Sequence, residues 1–347
     1  MKILMRVDLN CSLVNGKVMK SERILAVRKI LNNYKNDIVV LLAHQGRKGS
    51  KDFISLKQHA ELLKVKFVDD LFGVKAVNVI KKLKKGDILL LENVRFYDEE
   101  FDLSKNRFVS NLVPLFDCYI NNAFSVSHRE QTSLTFQKYL KGYKGELVIN
   151  EIKNLSKLKT KKAVYVLGGV KLEDLYPLMN YVLKNKKGKI LCTGILGPVI
   201  QEIMKHGLKP KLDELYRKFS KEIILPVDYA LEINGKRKNV KLETKGRVLD
   251  IGKETIINFK KIIESSNCVF FKGAPGMYEK KGFENGTKEL LISLSKAKFS
   301  VLGGGDNLSA IKRFKLTKNK FSYVSLSGGA MLAYLIGKEL PGLRGLK

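Results

Sequence analysis

The chain has 347 residues, 44% hydrophobic and 29% charged, which is a globular rather than a disordered composition and enough for two domains of ordinary size. Its 65 Lys and Arg stand against 34 Asp and Glu, a formal net charge of +31 that favours anionic partners: nucleic acid, anionic membrane or phosphorylated small molecules. No apolar run nears the roughly 20 residues a membrane span needs, and the opening MKILMRVDLNCSL sets charges among its apolar residues, unlike a signal peptide.

Short apolar runs alternate with longer amphipathic, lysine-rich stretches. Strands are expected within 2–9, 37–43, 87–92, 117–124, 162–169, 189–194, 222–231, 268–273, 299–305 and 321–328. Between them apolar residues recur at helical spacing, as in ISLKQHAELLKVK (54–66) and ETIINFKKIIESS (254–266). This alternation predicts a parallel-sheet α/β protein, whose ligands bind outside the carboxyl ends of the strands. So many strands exceed a usual single open sheet. GYKGELVINEIKNLSKLKTKK (142–162) reads as a turn and then one amphipathic helix, so the domain boundary is expected there, giving 1–148 and 149–335. ALEINGKRKNVKLETKG (230–246) reads as a hairpin turning at Asn-Gly.

Cys11, Cys118, Cys192 and Cys268 are far apart and form no C-x-x-C pair, which points to reduced core thiols of a cytoplasmic protein rather than a zinc site or disulfide framework. The lysines are scattered as a solvated surface. The arginines are more informative. RVDLN (6–10), Arg23, AHQGR (43–47), ENVRF (92–96) and NNAFSVSHR (121–129) set Arg23, Arg47, Arg95 and Arg129, with His44 and His128, on successive strand-end loops. Such a group suits a small phosphorylated or carboxylated anion. The second half carries LGGVK (167–171), LGGGDN (302–307) and LSGGAM (326–331) at strand ends, where glycine lets backbone N–H groups approach an anion and the next helix adds its positive end. Three such clusters favour a nucleotide site. Neither a P-loop nor a clean G-x-G-x-x-G is present.

In this order the motifs resemble phosphoglycerate kinases across nearly the whole chain. RVDLN resembles R-V-D-x-N, AHQGR resembles S-H-x-G-R, LENVRF resembles L-E-N-x-R-F and INNAFSVSHR resembles N-D-A-F-x-x-x-H-R. LGGVK, LPVD (225–228), KGAPGMYEKKGFENGT (272–287), VLGGGD and SLSGGAMLAYLIGKELPGL (325–343) continue the series. GGVKLED followed by ILCTG is similar to the archaeal type. The departures are Asn122 for the usual Asp, Ser125 for Gly, Lys272 for Asn, Asn307 for Thr and Leu175 for a second lysine.

The resemblance implies two doubly wound parallel-sheet α/β domains with an interdomain cleft, and a 336–347 segment that returns to the N-terminal domain. It implies reversible phosphoryl transfer between 1,3-bisphosphoglycerate and ADP, giving 3-phosphoglycerate and ATP with Mg²⁺. Asp8, Asn10, Arg23, His44, Arg47, Arg95 and Arg129 fall on phosphoglycerate positions. Gly168, Gly169, Lys171, Glu279, Gly303, Gly304, Gly305, Asp306 and Asn307 fall on nucleotide positions. Arg23 and Lys171 are the expected catalytic pair and Asp306 the metal-associated carboxylate. A cytoplasmic monomer is favoured over a dimer, with no specific nucleic acid and no membrane partner. The alternatives are a basic, non-catalytic nucleic-acid-binding protein on the same fold and a kinase for another acyl phosphate.

Overall fold

The computed structural model describes residues 1–104, 107–169, 172–206, 210–241 and 246–347. The chain divides into two compact units: Met1–Ile152 together with Glu339–Lys347, and Lys153–Lys338.

In the first unit the strands are β1 Lys2–Arg6, β2 Leu13–Val14, β3 Lys17–Val18, β4 Ile38–Leu42, β5 Lys66–Phe67, β6 Ile88–Leu90, β7 Cys118–Asn121 and β8 Lys141–Lys144. Six of them form one sheet in the order β5-β6-β4-β1-β7-β8, every pair parallel. Both faces are covered, so successive residues bury on opposite sides. Ile3 and Met5 join one core with Val39 and Leu41, while Leu4 joins another with Val40 and Leu42. The helices are α1 Glu22–Leu31, α2 Lys57–Leu63, α3 Val74–Lys81, α4 Arg107–Leu112 and α5 Glu146–Thr160. α1 starts on Glu22 and ends on Arg28 and Lys29, charges that complement its dipole. The unit boundary falls within α5. Strand order reverses around β1, so the segment after β1 sits at the topological switch point, where ligands bind.

The second unit has β9 Ala163–Leu167, β10 Gly188–Cys192, β11 Ile223–Ile224, β12 Asp228–Ile233, β13 Lys236–Lys241, β14 Val248–Ile251, β15 Val269–Lys272, β16 Ser300–Gly303 and β17 Tyr323–Ser325. A parallel sheet runs β11-β10-β9-β15-β16-β17, with its switch point between β9 and β15. Its helices are α6 Leu172–Lys184, α7 Leu196–His206, α8 Pro210–Lys218, α9 Lys253–Glu264, α10 Asn285–Leu294, α11 Gly305–Arg313 and α12 Gly328–Leu335.

Two segments differ from the sequence reading. The 222–231 run is not one strand: β11 ends before Pro226, which has no N–H to donate, and β12 belongs to a separate antiparallel sheet, β13-β12-β14. The 142–145 turn is largely the edge strand β8, which also bonds the last residues: Lys144 N donates to Lys347 O at 2.9 Å and Lys347 N to Gly142 O at 3.1 Å. The β12–β13 hairpin does turn at Asn234-Gly235, both left-handed at φ 51° and 71°, as its turn type requires.

Candidate active site

The segment following β1 lays Asp8 and Asn10 beside the loops that follow β4 and β7. Asp8 Oδ1 accepts from Asn10 N at 3.0 Å, and Asn10 Oδ1 accepts from Gly46 N at 2.9 Å. Asp8 Oδ2 takes Arg23 Nη1 from α1 and the Ser125 hydroxyl from the loop after β7. Ser125, a departure from the family pattern, is thus a direct partner of the site's acid. Asn93 clamps the other loops: its side-chain nitrogen donates to Gln45 O at 2.8 Å and Ile54 O at 2.9 Å, and its oxygen accepts from Arg95 N at 3.1 Å. Arg95 donates back to Gly46 O. Gly46 sits at φ +67°, and an added Cβ would strike the Asp52 backbone, so no other residue fits this turn.

Charge is unevenly balanced here. Burial alone would raise the Asp8 carboxyl, but the charge of Arg23 and the hydrogen bonds of Arg23 and Ser125 hold it well below the carboxylate range. Arg95 is pulled down to about 10 by burial and by Arg6 and Arg129. Arg129 is lowered by burial and then by Arg47. Among the described residues, none of Arg47, Arg95 and Arg129 makes an ion pair, and the buried Nε of Arg95 has no partner. Arginines that depress one another's pKa, with a donor left over, suit an anionic partner. Asn122 does not face this group: its Oδ1 accepts from Leu147 N at 2.9 Å, ordering the start of α5.

In the second unit, backbone takes the place of side chains. Gly168 N donates to Lys272 O at 2.8 Å, Gly169 N to Ala274 O at 3.0 Å and Gly194 N to Pro275 O at 2.9 Å, so the loops after β9, β10 and β15 interlock. Gly194 has φ +57°, and an added Cβ would lie 2.6 Å from Gly169 N. These loops floor a cavity of about 590 Å³, lined by Gly169, Gly194, Ile195, Val199, Leu249 and Ala274–Glu279 among others. Gly169 and Glu279 therefore share one cavity, with Glu279 at its exposed rim. Gly303, Gly304, Gly305 and Asn307 do not line it. They stand where β16 enters α11, with Gly304 at φ +106°. Asn307 is buried: its side-chain nitrogen donates to Gly303 O at 3.0 Å, and its Oδ1 has no partner. Lys171 lies outside the described residues, as does the Asp306 side chain on α11. Leu175 is buried in α6. Behind the cavity, buried Asp250 accepts from Gly286 N at 2.8 Å, Ile251 N at 2.9 Å and Arg237 Nη1 at 2.9 Å. Burial raises its carboxyl to about 6 against the pull of those partners.

Among the described residues no cluster of three or more His, Cys, Asp or Glu forms a metal centre. Sequence reasoning missed Arg6, which is fully buried and bonds His44. Its signal was a charge that follows the apolar run ILM at the end of β1. It missed Asp250 too, which lies in an ordinary strand run.

The two parallel-sheet α/β units thus carry, beyond the carboxyl ends of their strands, an arginine cluster in one and a glycine-built cavity in the other. The phosphoglycerate kinase profile matches residues 1–338. Phosphoglycerate kinase 1 of Methanosarcina acetivorans is 38% identical, covering 100% of this chain and 93% of that protein. The phosphoglycerate kinase of Archaeoglobus fulgidus is 35% identical over 99% of this chain and 93% of its own. The crystal structure of the Pyrococcus horikoshii phosphoglycerate kinase superposes with a TM-score of 0.87 at 30% identity, covering 99% of this chain and 95% of that one. The chain belongs to the phosphoglycerate kinase family.

Proposed function

We propose that this enzyme transfers a phosphoryl group reversibly between 1,3-bisphosphoglycerate and ADP, with the phosphoglycerate on the first unit and the nucleotide on the second. The observation that carries the reading is the cluster of Arg47, Arg95 and Arg129, which has no carboxylate ion-paired to it among the described residues and sits at the strand carboxyl ends. Asp8 stays ionised and accepts a hydrogen bond from a substrate hydroxyl. Asn10 and His44 fix the substrate's orientation. Arg23 and Lys171 neutralise the charge that spreads over the transferring phosphoryl group, since such transfers depend on positioning and charge stabilisation rather than on a covalent nucleophile. The nucleotide base enters the glycine-floored cavity, Glu279 accepts from ribose hydroxyls, and the Gly303–Gly305 turn at the start of α11 meets the phosphates.

The residues fit a nucleotide-borne Mg²⁺. The orphaned Oδ1 of Asn307 is a hard oxygen acceptor at the same helix start as Asp306. Asp306 and Asn307 would hold the ion, which offsets phosphate charge when bound. The net charge of +31 serves as a solvated surface rather than a nucleic-acid face. Among the described residues no helix is long and apolar enough to cross a membrane, and we assign the enzyme to the cytoplasm as a monomer.

A coupled assay with 3-phosphoglycerate, ATP and Mg²⁺ tests the reading. Turnover is expected. Turnover only with a different carboxylate would transfer the assignment to another acyl-phosphate kinase. Submicromolar duplex binding without turnover would favour the nucleic-acid alternative.

A further inference from the structure

We infer that Arg6 is a positioning residue that fixes His44 as a neutral imidazole with its proton on Nε2. The inference rests on reading the first unit as the phosphoglycerate site. Arg6 Nη2 lies 3.1 Å from His44 Nδ1. A guanidinium has donors only, so Nδ1 must supply the lone pair. That contact excludes the imidazolium, which carries protons on both nitrogens, and it excludes the tautomer protonated on Nδ1. Only the form with an Nε2 proton remains.

The guanidinium has no freedom to turn away. Its Nε donates to Ser133 Oγ at 2.9 Å, and its Nη1 donates to the carbonyls of Val7 and Leu42. Ser133 passes the hydrogen bonding on: its Oγ donates to Glu100 Oε1 at 2.8 Å and its N to Glu100 Oε2 at 2.9 Å. Arg6, Ser133 and Glu100 are all fully buried. The charged groups that face His44 are Arg6 on β1, Asp8 just after it, Arg95 from the loop after β6 and Arg23 from α1. Three cations against one carboxylate disfavour a fourth positive charge, and burial acts in the same direction. His44 therefore contributes a directed hydrogen-bond donor and no charge. The arginines supply the attraction for the anion, and substrate affinity does not follow imidazole titration.

The test is a long-range ¹H–¹⁵N spectrum of the full-length enzyme labelled at histidine, followed from about pH 8 to about pH 5. His44→Gln identifies the His44 signals. The expected spectrum shows a bare Nδ1 and a protonated Nε2 throughout. A proton on Nδ1, or titration near the ordinary value of about 6.5, overturns the inference. In a variant combining Arg6→Met with Glu100→Gln, which removes both buried charges, His44 should begin to titrate. Its KM for 3-phosphoglycerate should rise roughly tenfold, the loss of about one hydrogen bond, and become pH-dependent, while the nucleotide KM holds. A folded variant whose His44 still fails to titrate and whose KM shows no new pH dependence gives Arg6 a purely structural role and overturns the inference. Should that variant not fold, the wild-type spectrum decides alone. A locked His44 whose signals ignore added 3-phosphoglycerate supports the tautomer while overturning the substrate reading.

Discussion

The two units build their candidate sites by opposite means. The first pairs Arg23 with an ionised Asp8 and gathers Arg47, Arg95 and Arg129 close to one another. The second interlocks the backbones around Gly168, Gly169 and Gly194 and leaves its cavity mostly apolar-lined. A site made of charge is damaged by removing a side chain. One made of backbone is damaged by adding one. On the proposed assignment, phosphoglycerate, small and densely charged, would be held by ion pairing, whereas a nucleotide would offer a flat base to an apolar cavity and phosphates to helix termini.

The largest expected effect separates chemistry from binding. Arg23→Ala should lower turnover roughly 10³-fold, the scale of a charge supplied to a phosphoryl transition state. Stability should fall as well, because Asp8 loses its ion pair, while nucleotide affinity holds. Near-normal turnover in a stopped assay would remove Arg23 from the mechanism. Next, calorimetry on Arg129→Ala should show 3-phosphoglycerate binding weakened roughly 10- to 100-fold, as for a charged hydrogen bond, with nucleotide binding intact. Glu279→Ala should show the converse, about tenfold. Equal losses for both ligands would erase the contrast between the units.

The backbone site gives a smaller but sharper test. Gly194→Ala places a Cβ against Gly169 N at a left-handed φ, so urea unfolding should report a loss of about 1–3 kcal/mol and nucleotide binding should weaken. Phosphoglycerate binding should not. An unchanged nucleotide affinity would mean that the interlocked loops do not floor the site. The last test concerns pH. Burial raises folded Asp250 to about 6 from 3.8, so the folded protein binds this proton more tightly than the unfolded chain. The stability it confers is complete below about 3.8 and is lost as pH rises through about 6. Relative to Asp250→Asn, the wild type should therefore lose stability between about pH 4 and pH 7. Parallel denaturation curves at the two pH values would refute the shift.

The legible parts were those in which local pattern and tertiary role coincide. Aliphatic runs such as IVVLL became central parallel strands because both sheet faces are covered. Arg47, Arg95 and Arg129 converge because strand-end loops share one edge of a sheet, whereas Arg23, expected on such a loop, reaches Asp8 from α1. The less legible parts depend on partners distant in sequence. Lys141–Lys144 is polar and short, and it becomes a strand through β7 and the returning C-terminal residues. The β12–β13 hairpin shows in its Asn-Gly turn, but no local periodicity records that β12 stands apart from the parallel sheet beyond Pro226 and pairs with β14 as well. Asn122 departs from the family pattern, and its role shows only in the fold, where it bonds the start of α5. Arg6 reads as a charge in a strand, and its partner His44 stands 38 residues away.

The return of Glu339–Lys347 to the first unit has a consequence for how the chain is made. Leu346 is part of that unit's core, Gly342 O accepts from Asn121 Nδ2 at 2.8 Å, and Leu346 O accepts from Lys144 Nζ at 2.7 Å. On the ribosome the amino-terminal half emerges first but lacks these contacts until all of Lys153–Lys338 has been translated. The second unit, contiguous in sequence, has no such wait. The order of completion therefore inverts the order of synthesis, and the early half must remain soluble with the edge of β8 uncovered until its last residues arrive.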